Sequence, residues 1–381
     1  MLLRRLFLMF AGLLLAVVPF LTSLLVYGGM PAGFGVFPPQ QTGLVPGFNL
    51  IAFIFGCLIV AGISIFLIFP QWFGFGPAIV PPIVKGPHNN FPWWFWPGVA
   101  MWIFFWGLMW FQWAAFGSLV HYTFVPMWWG FILTIDGVVY KRLGGGSLIA
   151  KRPGAMFAIA VSSCFGWYFF EYLDYFVFSN WYYPYNTIFT TTGYILWYGL
   201  AYTTVMPSIF EWYNLLTTFD FWRKRYANGP KITLSRPVWW GIFGLGVASL
   251  AALVKWPFIF FSMVWISPLL VLTSALHLMG YWTPFKPIEK GNWSMALLMA
   301  IACMFNYFLG EMWNYWSPPN NPNFWMYDVP FVNVAKIFEM PFLGFFGYLP
   351  FGVMCWVWWI QNAYILNANP DIEVVPTPDG P

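Results

Sequence analysis

Glu171 and Asp174 stand three residues apart in the otherwise apolar and aromatic stretch GWYFFEYLDYF, residues 166–176. A second stretch, FNYFLGEMWNY (305–315), carries Glu311 and Asn314 at the same spacing. Residues three apart share one helix face, so the two members of each pair point together. The stretches align as F-x-[WY]-[YF]-x-x-E-x-x-[DN]-Y, which sets Glu171 on Glu311, Asp174 on Asn314 and Tyr175 on Tyr315. An aromatic cluster follows each, NWYYPY with Trp181 and NFWMYD with Trp325.

Four chemistries fit these residue types. A carboxyl removed from water can act as a general acid. Trp, Tyr and Phe around it offer π-faces that stabilise a cation. Protonating the alkene of a lipid or isoprenoid inside a membrane needs those two things. On that reading Glu171 and Glu311 are the acid/base candidates and Asp174 and Asn314 orient them. Tyr175, Tyr315, Trp181, Trp325 and Glu339 would line the substrate. A metal site would instead draw on His121, Glu171 and Glu311, with Asp174 and Glu339 as further oxygen donors. Di-iron bundles use Glu-x-x-His, and the matching positions here hold Asp174 and Asn314. A purely structural role has the carboxyls accepting hydrogen bonds from Tyr hydroxyls, Trp N–H groups and loop amides. Proton-coupled transport through a repeat interface is the fourth. The sequence names no cofactor.

The elements holding these residues belong to a membrane protein. Of 381 residues, 60% are hydrophobic and only 7% charged, against roughly 45–50% and about 25% in soluble domains. Too few charges remain to coat a water-soluble fold of this size. The formal charge of +4 is too small to argue for nucleic acid, so the expected partners are membrane lipids and other membrane subunits. The four cysteines, Cys57, Cys164, Cys303 and Cys355, lie singly in apolar runs and read as small core residues.

A bilayer needs about 20 apolar residues per helix, and ten runs supply them, near 6–27, 49–70, 96–116, 121–140, 155–178, 188–219, 237–254, 257–280, 294–316 and 342–364. The first exceeds a signal-peptide core and reads as a retained helix. The sixth carries Pro207 and is expected to kink. With the N-terminus inside, Arg4, Arg5, Lys85, Lys141, Arg142, Lys151, Arg152, Arg223, Lys224, Arg225, Lys231, Arg236, Lys286 and Lys290 fall on the inner side, and Lys255 and Lys336 alone fall outside. By the preference of Lys and Arg for the cytoplasm, both termini are cytoplasmic, in a bacterial or archaeal plasma membrane.

The fold expected is therefore an all-α polytopic bundle of about ten transmembrane helices. Residues 1–94 form two N-terminal helices with Pro-rich loops, and 95–236 and 237–366 form two four-helix units in a parallel repeat. Residues 367–381 form a polar acidic tail, expected to be disordered. Asp136 is expected to meet Lys141 and Arg142, and Glu211 the basic loop that includes Arg223. His121 and His277 read as isolated polar contacts. The aromatic run 91–113 can border a ligand, face lipid or meet a neighbouring subunit. No phosphate loop, dinucleotide fingerprint, zinc motif or nucleophile elbow is present. Function is expected to be enzymatic, on a lipid or isoprenoid. The alternatives are a non-catalytic subunit or scaffold of a larger membrane complex of respiratory or photosynthetic type, or a proton-coupled transporter.

Overall fold

The computed structural model describes residues 2–376, 379 and 380. Among them thirteen α-helices form: α1 Leu2–Tyr27, α2 Leu50–Ile68, α3 Phe95–Phe111, α4 Phe124–Leu143, α5 Leu148–Lys151, α6 Pro153–Asp174, α7 Thr191–Tyr202, α8 Val205–Thr217, α9 Asp220–Arg225, α10 Arg236–Lys255, α11 Met263–Leu278, α12 Ser294–Tyr315 and α13 Tyr348–Leu366. Four two-residue strands, β1 Trp181–Tyr182, β2 Met326–Tyr327, β3 Lys336–Ile337 and β4 Met340–Pro341, close the loops in two antiparallel pairs. The molecule is all-helical in character, and six helical stretches are long and apolar enough to cross a membrane: Leu2–Tyr27, Leu50–Ile68, Pro153–Val177, Arg236–Lys255, Ser294–Tyr315 and Phe342–Leu366. The third and fourth runs differ from the expected straight spans. The third stops at Phe111, and a 3₁₀ segment, Ala114–Tyr122, turns 109° away before α4 begins. The sixth run breaks at Thr203–Thr204 into α7 and α8, so Pro207 falls in the first turn of α8, where a missing N–H costs least.

α3 packs along α4 and α10 along α11, α6 meets α7 and α8, and α12 meets α13. Small residues allow the closest approaches. A Cβ placed on Gly130 would lie 2.4 Å from the Trp102 nitrogen, and one on Gly352 would lie 2.4 Å from the Cys303 Cβ. The four cysteines are free, with Cys303 and Cys355 buried in the α12–α13 contact. Trp313 on α12 fills the space beside Trp128 and Phe131 of α4 at 4.9 Å each, with Trp102 and Trp106 of α3 also against it. The aromatic run 91–113 is therefore divided. Trp102 and Trp106 join this core, whereas Trp93, Trp96 and Phe111 are exposed.

One end of the bundle is basic. There Arg5 donates to Asn367, Arg225 to the Leu67 and Ile68 carbonyls, and Lys290 to Asp379, tying the ends of α1, α13, α2 and α9 and the loop before α12 together. The C-terminal segment crosses this end and is not loose, contrary to the expectation from its polarity. Ile372, Val374 and Val375 are buried. Arg152 pairs with the Asp371 carboxylate at 3.1 Å, and the Tyr213 hydroxyl donates to Glu373 at 2.7 Å. Alternating apolar residues in IEVV give the tail a face to bury, and the basic end supplies partners for its acids.

Candidate functional site

α6 and α12 carry the paired motifs on their buried faces, and Glu171 and Glu311 are almost wholly enclosed, at 3% and 0% exposure. Each carboxyl gathers its donors on one oxygen. Glu171 Oε1 accepts from Tyr183 Oη at 2.5 Å, Trp167 Nε1 at 2.9 Å, Tyr202 Oη at 2.9 Å and Trp181 Nε1 at 3.2 Å. Glu311 Oε1 accepts from Tyr348 Oη at 2.5 Å, Tyr327 Oη at 3.0 Å and Trp325 Nε1 at 3.2 Å. The second oxygen of each has no hydrogen-bond partner among the described residues. In both cases a W-x-Y triplet of the following loop supplies an indole and a phenol, and a later helix supplies a second phenol. Burial, reinforced by the adjacent carboxyl, holds the loop phenols Tyr183 and Tyr327 well above the ordinary phenol range, so they remain O–H donors at neutral pH.

The residues three positions on hold these triplets in place. Asn314 clamps Trp325 twice, accepting its N–H at 3.0 Å and donating to its carbonyl at 2.8 Å. Asp174 only accepts, from the Trp181 N–H at 3.5 Å. The triplets then meet each other. β1 pairs antiparallel with β2, with Trp181 opposite Tyr327 and Tyr182 opposite Met326.

Between the two clusters lies a cavity of about 260 Å³. Its wall includes all seven donors, Trp167, Trp181, Tyr183 and Tyr202 from one cluster and Trp325, Tyr327 and Tyr348 from the other. Neither Glu lines it, and no Lys or Arg does. The carboxyls stand one side chain back, behind a layer of phenols and indoles. Trp265 and Phe351 add further ring surface, Trp128, Tyr198 and Tyr307 add rings with polar groups, and Asn180, Asn323, Thr204, Ser208 and Ser262 add smaller polar side chains.

Of the residues named from sequence, Glu171, Glu311, Asp174, Asn314, Trp181 and Trp325 belong to this assembly. Tyr175 lies outside it, donating to the Val36 carbonyl at 2.9 Å, and Tyr315 is 40% exposed against Trp316. Glu339 pairs loosely with Lys336 at 3.9 Å. His121 bonds the Asn320 carbonyl through Nδ1 at 2.9 Å. Among the described residues no group of three or more His, Cys, Asp or Glu side chains is placed to hold a metal, so His121, Glu171 and Glu311 do not assemble into one. Tyr183, Tyr202, Tyr327 and Tyr348 are the functional-site residues that the motif alone did not single out. The repeated W-x-Y after each Glu is the signal that marks Tyr183 and Tyr327.

A second buried acid lies toward the basic end. Asp136 on α4 accepts from Trp94 Nε1, Ser147 Oγ and the Ile149 N–H, each at 2.9 Å, and Glu211 on α8 lies beside it. The expected basic partners are elsewhere. Lys141 sits 4.1 Å over the Phe91 ring, Arg142 bonds Thr218 at 2.6 Å, and Arg223 pairs with Asp220 at 3.2 Å. A fixed set of neutral donors answers Asp136 at shorter reach than two flexible cations one turn beyond it.

A scan of the chain against protein-family models finds no match, and neither do searches of curated proteins and of solved structures.

Proposed function

We propose that the chain is an integral membrane enzyme that isomerises or cyclises an unsaturated lipid or isoprenoid held in the cavity between the two Glu clusters. What carries this reading is that all seven donors to the two carboxyls line one cavity. A carboxyl that served only to tie a loop to a helix would not need every one of its partners on a ligand-sized space. At about 260 Å³ the space lies just under the roughly 300 Å³ lower bound of drug-sized pockets. It holds a small molecule or one end of a long one.

The chemistry follows from the layering. The carboxyls cannot reach a ligand directly, but the phenols bonded to them can. A protonated Glu171 or Glu311 passes a proton through a Tyr hydroxyl to an alkene carbon, the π electrons form the new C–H bond, and a carbocation remains. Ring faces of Trp and Tyr stabilise that cation, and the absence of Lys and Arg from the wall keeps it from being opposed. Loss of a proton to the other cluster, whose carboxyl is ionised, restores a double bond. Atoms and charge balance with no co-reactant, and the product is an isomer of the substrate.

The frame we infer is two four-helix units, 95–236 and 237–366, related by a two-fold axis along the membrane normal. The α3–α4 and α10–α11 hairpins, the Glu helices α6 and α12, and the antiparallel meeting of the two W-x-Y triplets support it. A two-fold axis passing between equivalent strands makes them antiparallel. In this frame the bundle crosses the membrane about ten times, with the shorter and broken helices completing the spans. The basic end and both termini face the cytoplasm. The site then lies toward the opposite side.

The test is to incubate purified protein with lipid extracted from its own membrane in D₂O and to look for deuterium at carbon by mass spectrometry. Label in the wild type, lost in folded Glu171→Gln and Glu311→Gln variants, is expected. No label in the wild type, or full label in both variants, overturns the reading. A colourless, unlabelled protein isolated with stoichiometric partners would instead be a structural subunit.

A further inference from the structure

The basic end holds a second cavity, about 550 Å³, that plays no part in this chemistry. Arg4 reaches it from the first turn of α1, Arg236 from the first residue of α10, and Lys286 from the loop between α11 and α12. These three cations come from segments far apart in sequence, and none of them forms an ion pair with a described residue. Elsewhere on the molecule the scarce carboxylates are used, with Asp220, Asp371 and Asp379 each holding a cation within 3.5 Å. The one acid in this wall, Glu289, is not within ion-pair distance of any of the three. Converging like charges repel unless an anion lies between them. The floor is rigid. The His277 ring stacks on Trp239 at 4.0 Å and 13°, and its Nε2 is tied to Thr283 Oγ1 at 2.7 Å.

The surroundings identify the kind of anion. α1 packs on α10, and within a few residues of Arg4 and Arg236 these helices show Leu3, Leu6, Phe10 and Trp240 at 81%, 48%, 50% and 43% exposure. The two helices that bring Arg4 and Arg236 to the socket thus also carry exposed apolar side chains close to those cations in sequence, and both are long and apolar enough to cross a membrane. We infer that this cavity binds the phosphate headgroup of an anionic membrane phospholipid, whose acyl chains lie along α1 and α10. Basic pockets between helices at the cytoplasmic interface are suited to such headgroups, and each Lys or Arg near the surface contributes about a fivefold gain in binding. A choline headgroup carries its own cation, which the three basic groups repel.

The experiment is a lipid titration of the full chain in neutral detergent, read by native mass spectrometry. Phosphatidylglycerol, phosphatidylcholine and inorganic phosphate are the probes. Wild type is expected to bind phosphatidylglycerol at least about tenfold tighter than phosphatidylcholine. The Arg4→Gln, Arg236→Gln, Lys286→Gln triple variant should lose on the order of 100-fold in phosphatidylglycerol affinity. Glu289→Gln, which keeps the cations and removes the opposing acid, should tighten it about fivefold and remains informative if the triple variant does not fold. Equal binding of the two lipids by wild type, or no change in either variant, overturns the proposal. Inorganic phosphate that displaces the lipid at matching affinity overturns the lipid assignment and makes the socket one for a free phosphate ester.

Discussion

The two Glu clusters use the same parts but are not equally well held. Glu171 has four donors on one oxygen and Glu311 has three. The residue that fixes the following triplet shows the reverse order, two bonds from Asn314 and one long one from Asp174. One cluster is therefore rich in donors and weak in its clamp, the other lean in donors and firm in its clamp. The lesson is that a repeated motif preserves an arrangement of donors around a carboxyl more faithfully than it preserves the local means of holding it. What both clusters share, a carboxyl behind phenols on a common cavity, is the part that the proposed chemistry requires.

The largest effect should come from emptying a cluster. Glu171→Ala takes the acceptor from four buried donors and Glu311→Ala from three, of which Tyr327 and Tyr348 can still bond each other. Each orphaned donor costs about 1–3 kcal/mol, with losses in one network falling short of additive. Unfolding in detergent should show Glu171→Ala destabilised by about 4 kcal/mol or more, and Glu311→Ala by less. Equal losses would mean that donor number does not set the difference. Glutamine keeps an acceptor oxygen and removes the proton, so stability should change little in Glu171→Gln and Glu311→Gln. Deuterium uptake should fall at least about 100-fold in each, the size of a general acid or base contribution. A loss confined to one variant would assign the chemistry to one cluster and leave the other as architecture.

Sequence and structure agree most where a residue's role is local. The spacing of Glu171 with Asp174, and of Glu311 with Asn314, was enough to put each pair on one helix face. The aromatic loop after each motif was enough to nominate Trp181 and Trp325. Tyr202 and Tyr348 were not legible, because their place depends on how α7 and α13 pack against α6 and α12. Tyr175 and Tyr315 sit one residue past the Asp and Asn, the first opening a 3₁₀ turn after α6 and the second ending α12, and neither lines the cavity. Asp136 and Glu211 were expected to meet basic residues near in sequence and not each other, since residues 75 apart meet only through the α4–α8 contact. The tail misled because its overall polarity masked three apolar residues that find a surface.

Smaller effects test individual donors. Tyr183 holds Glu171 at 2.5 Å, whereas Tyr327 reaches Glu311 at 3.0 Å and shares its hydroxyl with Tyr348 at 3.2 Å. Tyr183→Phe should cost about 1.5–3 kcal/mol, because it removes the shortest of the four bonds to Glu171 and leaves a buried carboxyl oxygen short of a donor. Tyr327→Phe should cost about 1 kcal/mol, because Tyr348 still secures Glu311. Thermal unfolding of the pair reads the difference, and a larger loss for Tyr327→Phe would show that the Tyr327–Tyr348 contact carries more than its length suggests.

The clamp offers the smallest and most discriminating change, because it should go in opposite directions at the two sites. The Asp174 carboxyl answers the Trp181 N–H and bonds no carbonyl, and its other oxygen has no partner among the described residues. An amide at the same position supplies the missing donor. Asp174→Asn should therefore copy the Asn314 clamp, give the unpartnered position beside Glu171 a donor, and stabilise the protein by about 1 kcal/mol. Asn314→Asp should do the reverse, stripping the Trp325 carbonyl of its donor and placing a second acid beside Glu311. If Asp174→Asn is destabilising while Asn314→Asp behaves as expected, Asp174 is kept as an acid for a reason other than holding the loop. It would then belong with Glu171 in the proton chemistry, and the two clusters would differ in function as well as in how they are held.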